Sequence, residues 1–395
     1  MMRSRKISIR LEIFMIDIAI VGGGPSGNRA AMHLSREMDV TVFEEHASVG
    51  APVQCAGLIS PRAVCERTRD SVRNEIRRFV LHSPGGRELS LHSRDVRGVV
   101  IDREAYDRAL SEAAEKNGAS VRLSCRVSDV KPADDCVKLL LKGEKGREEI
   151  SARIVVAADG PQSAVRPLVT EKPFDITYRG AQYVVKSDSQ EDQVEMWIGR
   201  KIAPGFFAWK IPAGEEVRIG LCTCGKTPPM KLLDKLMRSK FGEVKIIRKQ
   251  AGLIPIGPIG RLSEGRIALL GDAGGQTKPV TGGGIFLGKR AAEILADCLL
   301  SFGNTMSALR KYELSYTDQF EREISRAMLI RRILNDLPDK KIDRAVELLS
   351  SPDIVEILED SGDIDYPGSI SAAILRKAPR LIQFAPSLLK HLLVH

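Results

Sequence analysis

A chain of 395 residues exceeds one typical domain and has room for two well-buried cores. With 43% hydrophobic and 28% charged residues, it has neither a disordered nor a membrane-embedded composition. No uninterrupted apolar run approaches the ~18 residues that cross a bilayer. The net charge of +9 favours anionic partners; Arg3, Arg5, Lys6 and Arg10 against Glu12 put +3 of it in residues 1–14 and leave +6 in the body.

The first fourteen residues lack an apolar core and a small-residue cleavage site, so no secretory signal is expected. Met15, directly before the first strand, is an alternative start. Seven cysteines, an odd number without a secretion signal, point to reduced thiols in the cytoplasm. Cys222-Thr-Cys224 has no second Cys or His pair near it, so no metal site is expected and both thiols read as small apolar strand residues.

In chain order, residues 16–21 form a short apolar run closed by Gly22 and predict a buried strand. Ala30, Ala31 and Leu34 give residues 28–36 a helical spacing, and residues 40–43 predict a second strand ending at Glu44. Residues 102–117 read as a helix with Asp102 as N-cap and Gly118 at its end. Strands are predicted over 121–130, 137–141 and 154–158. From 178 to 224, aromatic and β-branched residues alternate in short pieces, which predicts an antiparallel sheet in a second domain. Residues 267–270 read as a buried strand and 283–300 as a helix. After Tyr312 the periodicity is helical, interrupted by Pro338, Pro352, Pro367, Pro379 and Pro386. The expected fold is α/β, with a cofactor domain discontinuous in sequence, inserted antiparallel sheet and a helical C-terminal region.

Gly22-Gly23-Gly24-Pro25-Ser26-Gly27 fits G-x-G-x-x-G between a strand and a helix. Gly22, Gly24 and Gly27 allow a tight turn, and Ser26 lies at the helix start, where free N–H groups favour a pyrophosphate. Glu44, at the end of the second strand, is placed to accept hydrogen bonds from an adenosine ribose. Asp159 follows a buried strand in Asp159-Gly160, and Asp272 follows another in Gly271-Asp272. Pro279-Val-Thr-Gly-Gly-Gly-Ile285 comes next, with Gly283, Gly284 and Ile285 opening a helix.

Together these motifs resemble the glutathione-reductase-type flavoproteins of the aromatic-hydroxylase branch. The resemblance implies FAD, with Asp272 at the ribityl chain, Gly283, Gly284 and Ile285 near the isoalloxazine ring, Arg103 beside the cofactor and Val127 meeting adenine through its backbone. It divides the chain into an FAD-binding domain (15–62, 97–165, 250–315), a substrate domain (63–96, 166–249) and a helical region (316–395). A single dinucleotide fingerprint leaves the electron donor open among NAD(P)H, reduced deazaflavin and ferredoxin.

Two further segments resemble the archaeal and plant geranylgeranyl reductases, a group that includes the digeranylgeranylglycerophospholipid reductases. Gly50-Ala-Pro-Val-Gln-Cys55-Ala56-Gly57-Leu58 is similar to their cysteine loop, one residue shorter. Pro204-Gly-Phe-Phe207-Ala-Trp209-Lys-Ile-Pro212 is similar to their aromatic strand, with Phe207 and Ile211 in place of Tyr and Phe. The resemblance implies reduction of geranylgeranyl double bonds in archaeal membrane lipids, with Cys55, Ala56 and Gly57 near the flavin. Cys55 acts in protonation or redox control, or else only shapes the loop. Phe207 and Trp209 meet a polyprenyl chain or pack in the core. The implied partners are a polyprenyl lipid, an electron donor and a peripheral membrane surface on the cytoplasmic face, with no nucleic acid. Residues 376–393 mix basic and apolar character and read either as a membrane-surface segment or as a docked terminal helix. A flavin monooxygenase or halogenase on the same scaffold remains the alternative, as does a flavin-bearing electron-transfer partner.

Overall fold

The computed structural model describes residues 15–144, 146–187, 191–257, 260–369 and 371–377. β1 (Met15–Val21) and β2 (Val40–Phe43) are parallel neighbours linked by α1 (Pro25–Leu34). The helix begins at Pro25, inside the glycine motif, rather than at 28. Proline's fixed φ suits the first helical turn, and Gly24 is extended at the N-cap.

Five short strands follow: β3 (Leu58–Ile59), β4 (Val72–Ile76), β5 (Arg78–His82), β6 (Glu88–His92) and β7 (Gly98–Ile101). None is long enough to carry a readable period. α2 (Arg103–Lys116) then forms as its spacing predicts. Asp102 caps it by accepting the Ala105 N–H at 3.1 Å, and Gly118 turns left-handed beyond its end.

Next come β8 (Ser120–Arg122), β9 (Arg126–Pro132), β10 (Val137–Gly143) and β11 (Gly146–Ala157). A single strand over 121–130 does not form. Ser124 takes a φ of 49°, and the N–H groups of Ser124 and Cys125 donate to the carbonyls of His46 and Glu44 at 2.9 and 2.8 Å. The chain breaks there to hold the segment just past β2.

β12 (Ile176–Lys186), β13 (Gln193–Ile198), β14 (Phe207–Pro212) and β15 (Glu216–Thr223) supply the antiparallel pieces expected from their alternation. Cys222 is a buried strand residue, whereas Cys224 lies one residue past the strand and is exposed. α3 (Pro229–Lys240), β16 (Ile246–Ile256), β17 (Ser263–Glu264) and β18 (Ile267–Leu269) lead into α4 (Ile285–Phe302). The helical region is α5 (Met306–Asp336), α6 (Asp339–Leu349), α7 (Pro352–Ser361) and α8 (Ser371–Lys377). Pro338 separates α5 from α6, and Pro352 opens α7. Pro379, Pro386 and the basic–apolar stretch past Lys377 lie outside the described residues.

Three sheets arrange these elements. The first, in the order β17-β18-β11-β1-β2-β8, is parallel from β18 to β8. Its central strands are buried on both faces, as a parallel sheet between covering layers requires. β10 pairs antiparallel with the first half of β11, and β9 with β10. The second sheet runs β16-β12-β15-β14-β13-β5-β6, with β13 and β5 as its parallel pair. The third is β3-β7-β4. α1 packs between α2 and α4, α3 covers one face of the second sheet, and α6 and α7 lie against β6.

Asp102 both caps α2 and pairs with Arg73 at 2.8 Å. Burial opposes its ionisation, but the hydrogen bonds from Arg73 and the Ala105 N–H outweigh it and hold its pKa below the ordinary 3.8. A depressed folded pKa gives stability that is present above the unfolded value and lost as pH falls through the folded one. Asp102→Ala should therefore cost about 1 kcal/mol at neutral pH, measured by denaturant unfolding. The difference from wild type should shrink in acid.

Candidate functional site

β1 and β11 run so close that the turn after β1 crosses the end of β11. Gly22 sits at φ 101°, and a Cβ there would lie 2.4 Å from the Ala158 carbonyl oxygen. Gly24 has the opposite surroundings: a Cβ would meet no protein atom within 4 Å, and the residue lines a cavity of about 1310 Å³. Its missing side chain leaves room for something other than protein. Gly27, in contrast, does not line the cavity; it lets α1 sit against the Gly22 carbonyl oxygen, which is 2.2 Å from where its Cβ would be. All the other sequence-predicted site residues line this one cavity.

Glu44 is nearly buried at the end of β2. Its Oε2 accepts the Gly23 N–H at 2.8 Å, and its Oε1 accepts the His46 N–H at 2.9 Å. His46 Nδ1 also lies 2.6 Å from Oε1, so it is Oε2, with one partner, that keeps acceptor capacity for a sugar hydroxyl. Across the groove, Asp159 Oδ2 accepts the Ala164 N–H at 2.9 Å while its buried Oδ1 has no partner. Burial raises the Asp159 pKa. Asp272 is pushed up to about 6 by burial, with Arg103 opposing the shift. Such underserved carboxylates suit a ligand rich in hydroxyl donors.

Asp272 is held by groups that carry no sequence motif. The Gly271 N–H donates to Gln276 Oε1 at 2.6 Å, and Gln276 Nε2 donates to the Tyr312 hydroxyl at 2.7 Å. That hydroxyl donates in turn to the Leu269 carbonyl at 2.8 Å. Both the strand end before Asp272 and the turn after it are thereby fixed to α5. The helices α1 and α4 have Gly24 and Gly284 as N-caps, and neither N-terminus has a side-chain cap. Both open on the same cavity, offering free N–H groups to anionic or carbonyl oxygens. Carboxylates for hydroxyls, uncapped helix starts and a glycine cradle together fit an adenine dinucleotide carrying a flavin.

Two buried cations shape the glycine-rich turn. Lys278 Nζ donates to the Ile364 carbonyl and to Asp365 Oδ1, both at 2.9 Å, and Asp365 also pairs with Arg62. The Lys278 backbone bonds Gly282 and Gly283. Arg331, from α5, donates to the carbonyls of Pro279 (2.9 Å), Val280 and Gly205 (3.4 Å). Its guanidinium lies 4.4 Å over the Phe206 ring. Burial lowers the pKa of both cations, with Asp365 opposing the shift at Lys278.

Cys55 lies where the two halves of the cavity meet. Its Sγ accepts the Gly57 N–H at 3.3 Å. Arg103 is paired with the buried Asp107 at 2.7 Å, and the Cys55 thiol lies near enough to favour its charge. Burial opposes the Arg103 charge, but Asp107 and then Cys55 outweigh it and raise its pKa. From the other side Arg218, on β15, donates to the carbonyls of Ala56 (2.7 Å) and Ile101 (3.0 Å). A Cβ on Gly57 would lie 2.0 Å from that guanidinium, so only glycine lets it pass. The Cys222 thiol, also in the cavity wall, is pushed up to about 12 by burial, with Cys55 adding to the shift.

Beyond Cys55 the wall turns apolar. Phe207 stacks on Phe206 at 4.2 Å and meets Trp209 edge-on at 6.1 Å. Trp209 Nε1 donates to Gln182 Oε1 at 2.8 Å, and Gln182 Nε2 to Gln250 Oε1 at 2.5 Å. The indole is therefore both core and wall, its polar edge satisfied. Phe79, Leu81, Met196, Ile198 and Leu334 continue the lining towards α6 and α7. The volume exceeds the roughly 300–1,000 Å³ of ordinary small-ligand pockets, leaving space for a second, apolar molecule beside a dinucleotide.

Gln276, Tyr312, Arg331, Lys278, Arg218, Gln182 and Gln250 escaped the sequence reading. Each is a single polar residue outside any motif, and only its place in the fold marks it. Asp272→Ala and Glu44→Arg should each weaken flavin retention by about tenfold or more. The yellow absorbance remaining after gel filtration reads this. Full occupancy in the double variant would sink the site map.

Comparisons with known proteins bear on the cofactor and the fold. Residues 15–314 match the family model described as an FAD binding domain. The chain is 31% identical to digeranylgeranylglycerophospholipid reductase 1 of Methanopyrus kandleri, over 88% of this chain and 98% of the relative. It is 29% identical to the digeranylgeranylglycerophospholipid reductase of Methanothrix thermoacetophila, over 86% of this chain and 92% of the relative. A solved geranylgeranyl bacteriochlorophyll reductase-like protein of Thermoplasma acidophilum shares the fold, with a TM-score of 0.77 at 22% identity, covering 93% of this chain and 99% of that one. The chain thus belongs to the FAD-dependent oxidoreductases, in the family that holds the digeranylgeranylglycerophospholipid reductases.

Proposed function

We propose that the protein saturates carbon–carbon double bonds of geranylgeranyl chains in archaeal-type digeranylgeranyl glycerophospholipids. The observation that carries this reading is the continuity of the cavity, from a hydroxyl- and phosphate-binding groove past Cys55 into an apolar chamber. Each CH₂ moved from water into such a chamber contributes roughly 0.8 kcal/mol, which favours a long prenyl chain over a small polar substrate. The names of the relatives support the same substrate class. Segments 63–96 and 166–249 supply much of the substrate side, and 15–62, 97–165 and 250–315 the cofactor side.

Bound FAD, once reduced, supplies a hydride to one carbon of the double bond. The chain's own residues do the rest. The aromatic wall around Phe207 and Trp209 holds the alkene and excludes water. Cys55 carries a proton on Sγ for the other carbon, and the guanidinium groups beside it offset the negative charge left there. The product gains two hydrogens, and the two electrons for each turnover would come from NAD(P)H, a reduced deazaflavin or ferredoxin. A substrate that resides in lipid places the enzyme peripherally on the cytoplasmic membrane face; no described helix is long and apolar enough to cross a membrane.

The test is anaerobic. Flavin reduced with dithionite should be reoxidised by digeranylgeranyl lipid, with a mass gain of two hydrogens per bond. Cys55→Ser should keep its yellow colour and lose roughly tenfold or more in turnover. A dithionite-reduced enzyme that ignores the lipid but consumes oxygen rapidly with an aromatic compound would overturn the assignment in favour of a monooxygenase.

A further inference from the structure

Residues 226–249 carry eight lysines and arginines against Asp234 and Glu243, a surplus of six. Each of those eight cations is exposed. Residues 15–395 as a whole have the same surplus, so the rest of the body is balanced. In the midst of these charges Val244, Ile246 and Ile247 stand 38%, 38% and 42% exposed, three of the eight large hydrophobics so exposed among the described residues.

The fold explains how the charges come to share a surface. α3 presses Leu233, Leu236 and Met237 onto Tyr183, Ile219 and Leu221 of the second sheet, which turns its cations outward. β16 then enters as the edge strand of that sheet, with β12 as its one partner among the described residues. Lysines on an edge strand ordinarily guard it against pairing with another chain. That role accounts neither for the cations on α3 nor for exposed aliphatics set among them. Arg248 is partly neutralised by Glu216 at 2.7 Å, which leaves the surplus little changed.

We infer that this face, α3 with the entry to β16, docks the protein on a bilayer bearing anionic phospholipids. Cations at the level of the phosphates and aliphatic side chains at the acyl boundary are the pairing such a surface rewards. A second copy of the chain would set like charges against each other. A nucleic acid would call for stacking aromatics, whereas the exposed apolar residues here are aliphatic. β16 runs directly on from Ile247 into Gln250, Gly252 and Ile254 of the cavity wall, so the docking face and the chamber share one strand. The purpose of docking rests on the lipid-substrate reading; the surface itself does not.

The experiment is sedimentation of the full-length holoprotein with phosphatidylcholine vesicles, with and without phosphatidylglycerol. The protein should pellet with the anionic vesicles alone and be released by high salt. Lys245→Glu with Ile247→Asp should weaken that binding by about tenfold or more. Flavin absorbance and turnover of detergent-dispersed lipid should stay at wild-type levels. A variant that pellets like wild type, or a wild type that stays in the supernatant, overturns the inference. So does a homodimer, seen by sedimentation equilibrium, that Ile247→Asp dissolves. Vesicle binding without any lipid reduction leaves the docking face standing and removes the reductase reading instead.

Discussion

The closeness of β1 and β11 is the constraint on which the site depends. Parallel pairing brings Val21 level with Ala157, and the turn that follows passes so near Ala158 that no side chain fits at Gly22. That crossing fixes where α1 starts, and with it the uncapped N–H groups and the open space at Gly24. It also sets Glu44 and Asp159 on either side of one groove, because each ends a strand adjoining the crossing. A wider spacing would leave the same glycines flexible and the two carboxylates without a common ligand.

The second half of the cavity is organised by buried cations rather than by carboxylates. Lys278, Arg218 and Arg331 each donate to backbone carbonyls contributed by another part of the chain. Taking such charges out of water costs several kcal/mol each unless partners surround them. Multiple carbonyl acceptors and a neighbouring ring or carboxylate supply that surrounding, and they tie loops that have no other reason to be rigid. Arg218 is the hinge of the arrangement: it belongs to the second sheet yet holds the Cys55 loop and the end of β7. The Cys55 loop and the aromatic face of the second sheet are thereby tied together through one side chain.

The cavity's two chemistries follow from where it lies. Its cofactor end is made of strand ends, turns and helix starts, all rich in unsatisfied backbone polarity. Its far end is made of strand faces, whose side chains alternate and present one apolar side. The Trp209–Gln182–Gln250 chain marks the boundary, with polar edges satisfied among themselves so that the wall stays apolar to whatever lies against it.

From the residues alone, the strand–glycine turn–helix unit, the positions of Glu44, Asp159 and Asp272, the capped helix after Asp102 and the helical character of the C-terminal region were legible. Each is local: a period, a cap or a turn read within a few residues. The break at Ser124 and the short strands between 58 and 101 were not, because hydrogen bonds to distant segments decide them. The same holds for Gln276, Tyr312, Lys278, Arg331 and Arg218. A polar residue looks solvated until the fold buries it, and its role comes from partners that other parts of the chain supply. Sequence determined which groups could hold a flavin dinucleotide, since backbone shape and charge are written locally. Tertiary structure alone decided that those groups, a cysteine and an apolar chamber open on one another, because that meeting depends on strand order and on which buried charges bind which loops.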